Sequence, residues 1–117
     1  MKRALTLLSF GAVLALCSTT LLADGNAADG KTKAATCFAC HGTDGNGIDP
    51  QYPRLAGQYT MYLQQALHEY KDGRRNNPIM KGFVATLSDQ DIKDVATYFS
   101  SLPSKLDTLN GHIQGDK

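Results

Sequence analysis

The chain has no tryptophan, only three cysteines and no cluster of basic residues. Its 12 Lys and Arg stand against 11 Asp and Glu, a formal net charge of +1. A balanced chain of this kind lacks the basic stripe by which nucleic-acid binders hold phosphates. No segment alternates apolar and polar residues over a strand's length, and neither a repeat nor a low-complexity tract occurs. The scarcity of cysteine is equally restrictive. With thiols at positions 17, 37 and 40 alone, no second Cys pair exists to complete a tetrahedral zinc site.

Long apolar runs are also missing, except at the N-terminus. Lys2 and Arg3 precede an apolar stretch from Ala4 to Leu16, and small residues then lead to Ala23 before Asp24. That layout is a secretory signal peptide over residues 1–23, removed in the mature protein. Leu21 fits poorly two positions before such a cut, so the cleavage point is left open by a few residues. Two other readings exist. The stretch is about long enough to stay as a membrane anchor, although its Ser and Thr content weighs against that. Cys17 is the position a lipoprotein would acylate, although Leu16 stands where a small residue is expected. Processing leaves 94 residues, ten basic and 11 acidic, hence a net charge of −1 and one small domain.

What is present in that domain is Cys37-Phe38-Ala39-Cys40-His41. C-x-x-C-H is the attachment signature of c-type haem. On a helix, positions 37, 40 and 41 are spaced i, i+3 and i+4 and share one face. Two thiols there can add across the two vinyl groups of one porphyrin, and His41 reaches the iron as the proximal ligand. A thioredoxin-like pair would open a helix after a strand. Here residues 27–36 read as helix running into the motif. A disulfide across three residues would be strained and would leave His41 without a role.

Gly30, Ala34, Cys37 and His41 recur at helical spacing, which predicts a first helix. Residues 42–53, rich in Gly and Pro with Asp44, Asn46 and Asp49, read as a loop. Tyr59, Leu63, Ala66, Leu67 and Tyr70 predict the apolar stripe of a second helix ending at Gly73. Arg74 to Met80 reads as another loop. Ser88 with Asp91 forms a capping-box variant, and Ile92, Val95, Ala96, Phe99 and Leu102 form the buried stripe of a third helix stopped by Pro103. The tail from about 104 is polar and loosely held.

Iron bound by His41 alone would leave a position open to gases or peroxide. A methionine thioether closes it, favours ferrous iron and raises the potential. Met61 falls inside the predicted second helix, away from its stripe. Met80 falls in a loop free to bend over the ring, and is the expected sixth ligand. His68 reads as a solvated helix residue and His112 as a tail residue, though either would give bis-His ligation if it displaced Met80.

Taken together, the chain resembles the class I c-type cytochromes, in particular small bacterial monohaem cytochromes of the c-553 type. It is also similar to one half of the dihaem bacterial cytochromes c. The likeness covers nearly all of residues 25–102. It rests on C-F-A-C-H-G at 37–42, D-G-N-G at 44–47, P-R-L-A-G-Q at 53–58, N-P-I-M at 77–80, L-S-D-Q-D-I at 87–92 and A-T-Y-F at 96–99. The resemblance implies an all-α fold, with three main helices and loops wrapped around one covalent haem c and its iron. It implies that the Pro53 carbonyl accepts the Nδ1–H bond of His41, and that Leu55 lines the haem pocket. It also implies that Gly30 lets the first and last helices cross, against Tyr98 or Phe99. Arg54, Gln58 and Tyr59 are candidate partners for the haem propionates. A single C-x-x-C-H departs from the dihaem pattern, so one haem and no hopping between haems is expected.

The function so implied is a periplasmic one-electron carrier cycling Fe(III) and Fe(II), not an enzyme. It would bind no small-molecule substrate and no nucleic acid. Redox proteins would dock transiently near the thioether cysteines through a small, wet interface. The membrane becomes a partner only if the N-terminal segment is retained, as in an anchored subunit of a respiratory complex. The rival from another class is a haem enzyme or gas sensor with an open sixth position. It would need a distal acid–base group, for which His68 and Arg75 are the residues to place.

Overall fold

The computed structural model describes residues 24–106. The expected signal peptide over 1–23, Cys17, His112 and the tail beyond residue 106 lie outside the described residues. Every regular element within them is helical: α1 (Ala27–Lys33), a 3₁₀ turn (Ala34–Cys37), α2 (Phe38–His41), α3 (Thr60–Asp72), α4 (Pro78–Val84) and α5 (Asp89–Ser101). The three expected helices are present, with two differences. The first is wound tighter in its middle, so Cys37 ends a 3₁₀ turn while Cys40 and His41 sit in the following α-turn. A further short helix, α4, contains Met80.

That second difference corrects the loop reading of Met80. Asn77 caps α4, its side chain accepting from the amides of Ile79 at 3.0 Å and Met80 at 3.1 Å. Pro78 occupies the first helical position, where its missing N–H costs nothing. Asn-Pro is therefore a start signal here as well as a turn signal.

Helix ends elsewhere follow local chemistry. Asn26 caps α1 by accepting from Ala28 and Asp29 amides at 2.8 and 3.3 Å, an arrangement that contributes about 1 kcal/mol. Ser88 and Asp91 form the expected capping box of α5, with reciprocal bonds of 3.1 and 2.8 Å. Gly73 ends α3 with φ of 85°, a left-handed conformation that residues with a Cβ adopt at a cost.

The core joins α1 to α5 and α5 to α3. Ala34, Leu63, Val95, Ala96, Tyr98 and Phe99 are buried together, with Cys37, Phe38, Leu55, Leu67 and Leu102 packed against them. Phe38, the residue between the motif cysteines, packs its ring 6.0 Å from Tyr98 and 6.3 Å from Phe99, centroid to centroid. The motif is thus anchored to α5 by its own intervening residue. Crossing is closest at Gly30, where a Cβ would lie 2.0 Å from the Asp94 carbonyl oxygen and 2.8 Å from Tyr98 Cβ. Gly25 is as tightly placed, 2.2 Å from the Lys93 oxygen by the same measure.

A polar clamp not foreseen in the sequence reinforces that crossing. Asp94, 2 % exposed, accepts from the Asn26 amide at 2.8 Å, Lys33 Nζ at 2.6 Å and Gln90 Nε2 at 2.8 Å. Lys33 also reaches Asp91 at 2.6 Å. Burial alone would push the Asp94 carboxyl up, but these donors outweigh it and hold it below its ordinary value. Its place in the chain, between Ile92 and Val95, gives no hint of a partner 61 residues away.

Candidate functional site

A cavity of about 430 Å³ opens between the motif segment, the 53–58 loop, α3, α4 and α5. Cys37, Cys40, His41, Pro53, Leu55 and Met80 all line it. The rest of its wall is largely apolar: Leu63, Ala66, Leu67, Ile79, Phe83, Val95, Ala96 and Phe99, with Tyr62 and Tyr70. A second hollow of about 490 Å³, bounded by Ile48, Pro50, Tyr52 and Leu106, contains no thiol, imidazole or thioether.

Each functional group is set by its local backbone. Gly42, at φ 79°, ends α2 directly after His41 and turns the chain into the 42–59 loop. That loop is tied back to the motif. Gly47 N–H donates to the His41 carbonyl at 2.7 Å, and Ile48 N–H to that of Cys40 at 3.1 Å. Asn46, itself buried, donates to the Pro103 carbonyl at 3.2 Å and accepts from the Lys105 amide at 2.7 Å. The loop then brings Pro53 beneath the imidazole. His41 is 6 % exposed, and its Nδ1 lies 2.8 Å from the Pro53 oxygen. A carbonyl only accepts, so Nδ1 carries the hydrogen and Nε2 is left for another ligand.

Cys37 and Cys40 are partly buried and are not joined to each other. Burial pushes the Cys37 thiol up, against a smaller opposing effect of the Thr36 side chain.

Of the two methionines considered, Met80 lines the cavity, whereas Met61 is 83 % exposed on α3 and does not. Arg54 and Gln58 line it, but Tyr59 is 82 % exposed and lies outside both the cavity and the stripe assigned to it. His68 is absent from the lining and faces Asp89 at 4.0 Å on the surface. Arg75 does line the cavity, as do Asn77 and the α4 residues Ile79 and Phe83. The α4 residues were missed because the segment reads as loop. Taken as a helix start, Asn77-Pro78 would have put Ile79, Met80 and Phe83 at neighbouring positions of one helical surface.

Two thiols three residues apart, an imidazole with one nitrogen already committed, a thioether and apolar walls suit a porphyrin bound covalently through its vinyl groups. Comparison with known proteins agrees. The Cytochrome c family matches residues 27–103. The chain is 52 % identical over 79 residues to cytochrome c4 of Pseudomonas aeruginosa, an alignment covering 68 % of this chain and 39 % of that protein. It is 49 % identical over 80 residues to cytochrome c-554(548) of Halomonas halodenitrificans, covering 66 % of this chain and 96 % of that one. Among solved structures, that of reduced recombinant cytochrome c4 from Pseudomonas stutzeri superposes with a TM-score of 0.67 at 42 % identity, covering 70 % of this chain and 48 % of that one. The chain therefore spans less than half of the cytochrome c4 relatives and nearly all of cytochrome c-554(548). It belongs to the cytochrome c family, with the class I all-α fold and covalently bound haem c that membership entails.

Proposed function

We propose that this chain is a one-electron carrier in which Cys37 and Cys40 form the haem thioethers and His41 and Met80 are the axial ligands. The observation that carries it is the meeting of these four side chains on one cavity while the Pro53 carbonyl engages His41 Nδ1. When bound, the haem supplies a single Fe(III)/Fe(II) couple. The protein residues do the rest. The Pro53 carbonyl fixes the imidazole ring and increases its basicity, as partners of metal-bound histidines do. Met80, held by the capped start of α4, would take the remaining position and exclude exogenous ligands. Leu55, Leu63, Leu67 and Phe99 would keep water from the ring, and Arg54 and Gln58, which also line the cavity, would serve the propionates.

The proposed setting is the periplasm, reached through the signal peptide at 1–23, with the mature domain running from residue 24 and its polar tail from about 104. Among the described residues no helix is long and apolar enough to cross a membrane. Redox partners would dock transiently near Cys37 and Cys40, which are partly exposed. The domain's near-neutral balance implies modest salt dependence of that encounter.

The test is an optical spectrum of protein matured in an exporting, haem-attaching host. Haem resistant to acid–acetone extraction, a weak far-red ferric band and no ferrous shift with carbon monoxide are expected. Covalent haem that binds carbon monoxide readily would instead indicate an open sixth position. Absence of haem would refute the cysteine assignments.

A further inference from the structure

One cation on the cavity wall is not used by this reading. Gly73 reverses the chain at the end of α3, and the Arg75 amide then donates to the Glu69 carbonyl at 3.0 Å. The Arg75 side chain therefore runs back along α3. Its Cζ lies 5.0 Å from the centre of the Tyr70 ring, within the range of a cation–π contact. The Tyr62 hydroxyl, two turns nearer the start of α3, sits beside the guanidinium and favours its charged state. Tyr62, Tyr70 and Arg75 all face the cavity that Cys37, Cys40, His41 and Met80 share.

Among the described residues this charge has no carboxylate in contact with it. Lys33, Arg74 and Lys105 each meet a carboxylate at 2.6 to 2.8 Å. No carboxylate of the described residues comes within 4.0 Å of Arg75. Asp72, the nearest acid in sequence, pairs with Arg74 at 2.8 Å, and Glu69, which bonds Gln65 at 2.8 Å, acts on Arg75 only at longer range. Arg54, the other arginine on the wall, is exposed and its Nε is committed to the Asn46 carbonyl. Arg75 is partly buried between two aromatic side chains, so water screens its field less.

We propose that Arg75, clamped by Tyr62 and Tyr70, is the fixed cation by which this chain raises the reduction potential of its haem. The inference rests on the carrier reading above. One electron arriving from a reduced donor oxidises that donor by one unit and lowers the charge of the site by one, with no proton moved. A stationary positive charge opposes the ferric state more than the ferrous one. A unit charge on the wall of a cavity of this size, at an effective dielectric of about 20, shifts such an equilibrium on the order of tenfold, equivalent to about 59 mV for one electron. The guanidinium keeps its charge at every working pH, so the effect is independent of pH near neutrality.

The experiment is a potentiometric titration of haem-loaded wild type, Arg75→Gln, Arg75→Lys and Arg74→Gln, with spectra and thermal melts of each. Arg74 is an exposed neighbour already paired with Asp72, and its loss changes net charge equally. Arg75→Gln is expected to lower the potential by an amount near that tenfold shift, with the Met–iron band intact. Arg75→Lys should keep most of the wild-type value, and Arg74→Gln should move it far less. An unchanged potential in Arg75→Gln, or one matched by Arg74→Gln, overturns the proposal even if the melting temperature falls. A lowered potential accompanied by loss of the Met–iron band also counts against it, since ligand exchange would then be the cause. If Arg75→Gln fails to load haem, Tyr62→Phe loosens the clamp while keeping the charge. It must shift the potential down by a smaller amount, and no shift refutes the assignment. Wild type without haem would sink the carrier reading itself, a result distinct from any of these.

Discussion

Replacing Gly30 by alanine tests whether the α1–α5 crossing is as close as the structure shows. In an open helix the change would stabilise, since glycine costs about 1 kcal/mol relative to alanine in a helix interior. Here the new Cβ would lie 2.0 Å from the Asp94 carbonyl oxygen, about 1.4 Å inside ordinary contact, and 2.8 Å from Tyr98 Cβ. Neither obstacle is the end of a flexible side chain. The helices must separate, and the Asp94 bonds to Asn26 and Lys33 span the same seam. Overpacking of this kind costs about 1–3 kcal/mol and occasionally more. Loss of one or both Asp94 bonds adds about 1.5–3 kcal/mol. Set against the helix gain, a net destabilisation of about 2–4 kcal/mol is expected, or roughly 8–32 °C in Tm for a domain of this size. Gly82→Ala is the internal control, because nothing lies within 4 Å of a Cβ there. It should be neutral or slightly stabilising, by up to about 1 kcal/mol. Thermal and guanidinium melts of the haem-loaded proteins read both. A Gly30→Ala protein as stable as wild type would refute the reasoning from the crossing.

Met80→Ala should admit carbon monoxide and cyanide and lower the potential while leaving the haem covalently attached, as checked by ligand titration and potentiometry. Met61→Leu should change stability by less than about 0.5 kcal/mol and leave the spectrum alone, because the side chain is exposed. The clamp predicts acid sensitivity of a definite sign. Lys33, and to a lesser degree the Ser88 amide, lower Asp91 to about 2, and Asp94 is lowered too. A depressed carboxyl contributes stability above its unfolded pKa of about 3.9 and loses it as pH falls toward the folded value. Tm should therefore drop between about pH 5 and pH 2, and Lys33→Met should flatten that slope. Pro53→Ala keeps the backbone carbonyl that His41 uses, so melts and potentiometry should show a small effect beside that of Met80→Ala.

The readability of the chain depended on the range of the information. Capping of α5 by Ser88 and Asp91, and the end of α3 at Gly73, were legible because each is settled within one helical turn. So was the haem signature, whose chemistry lies within five adjacent residues. Met80, the expected sixth ligand, lines the cavity and Met61 does not, yet Met80 lies on a short helix and not in the loop on which that expectation rests. Tyr59 was misplaced on the buried stripe because periodicity alone does not show where a helix begins; it is the residue before α3 and is exposed.

The sequence by itself determined the cofactor class, the helical periodicities and the local stops, because thioether attachment, capping and left-handed turns need only neighbouring residues. The tertiary structure decided which distant groups face one another. It brought Asp94 to Lys33 across 61 residues, the Pro53 carbonyl to the imidazole of His41, and Arg75 back onto the wall that Met80 shares. The family resemblance implies the Pro53 contact, whereas the pairing of Asp94 with Lys33 and the return of Arg75 belong to no repeat or motif. Each depends on where helices cross and loops close, which is settled by the packing of the whole core and is written in no single stretch of the chain.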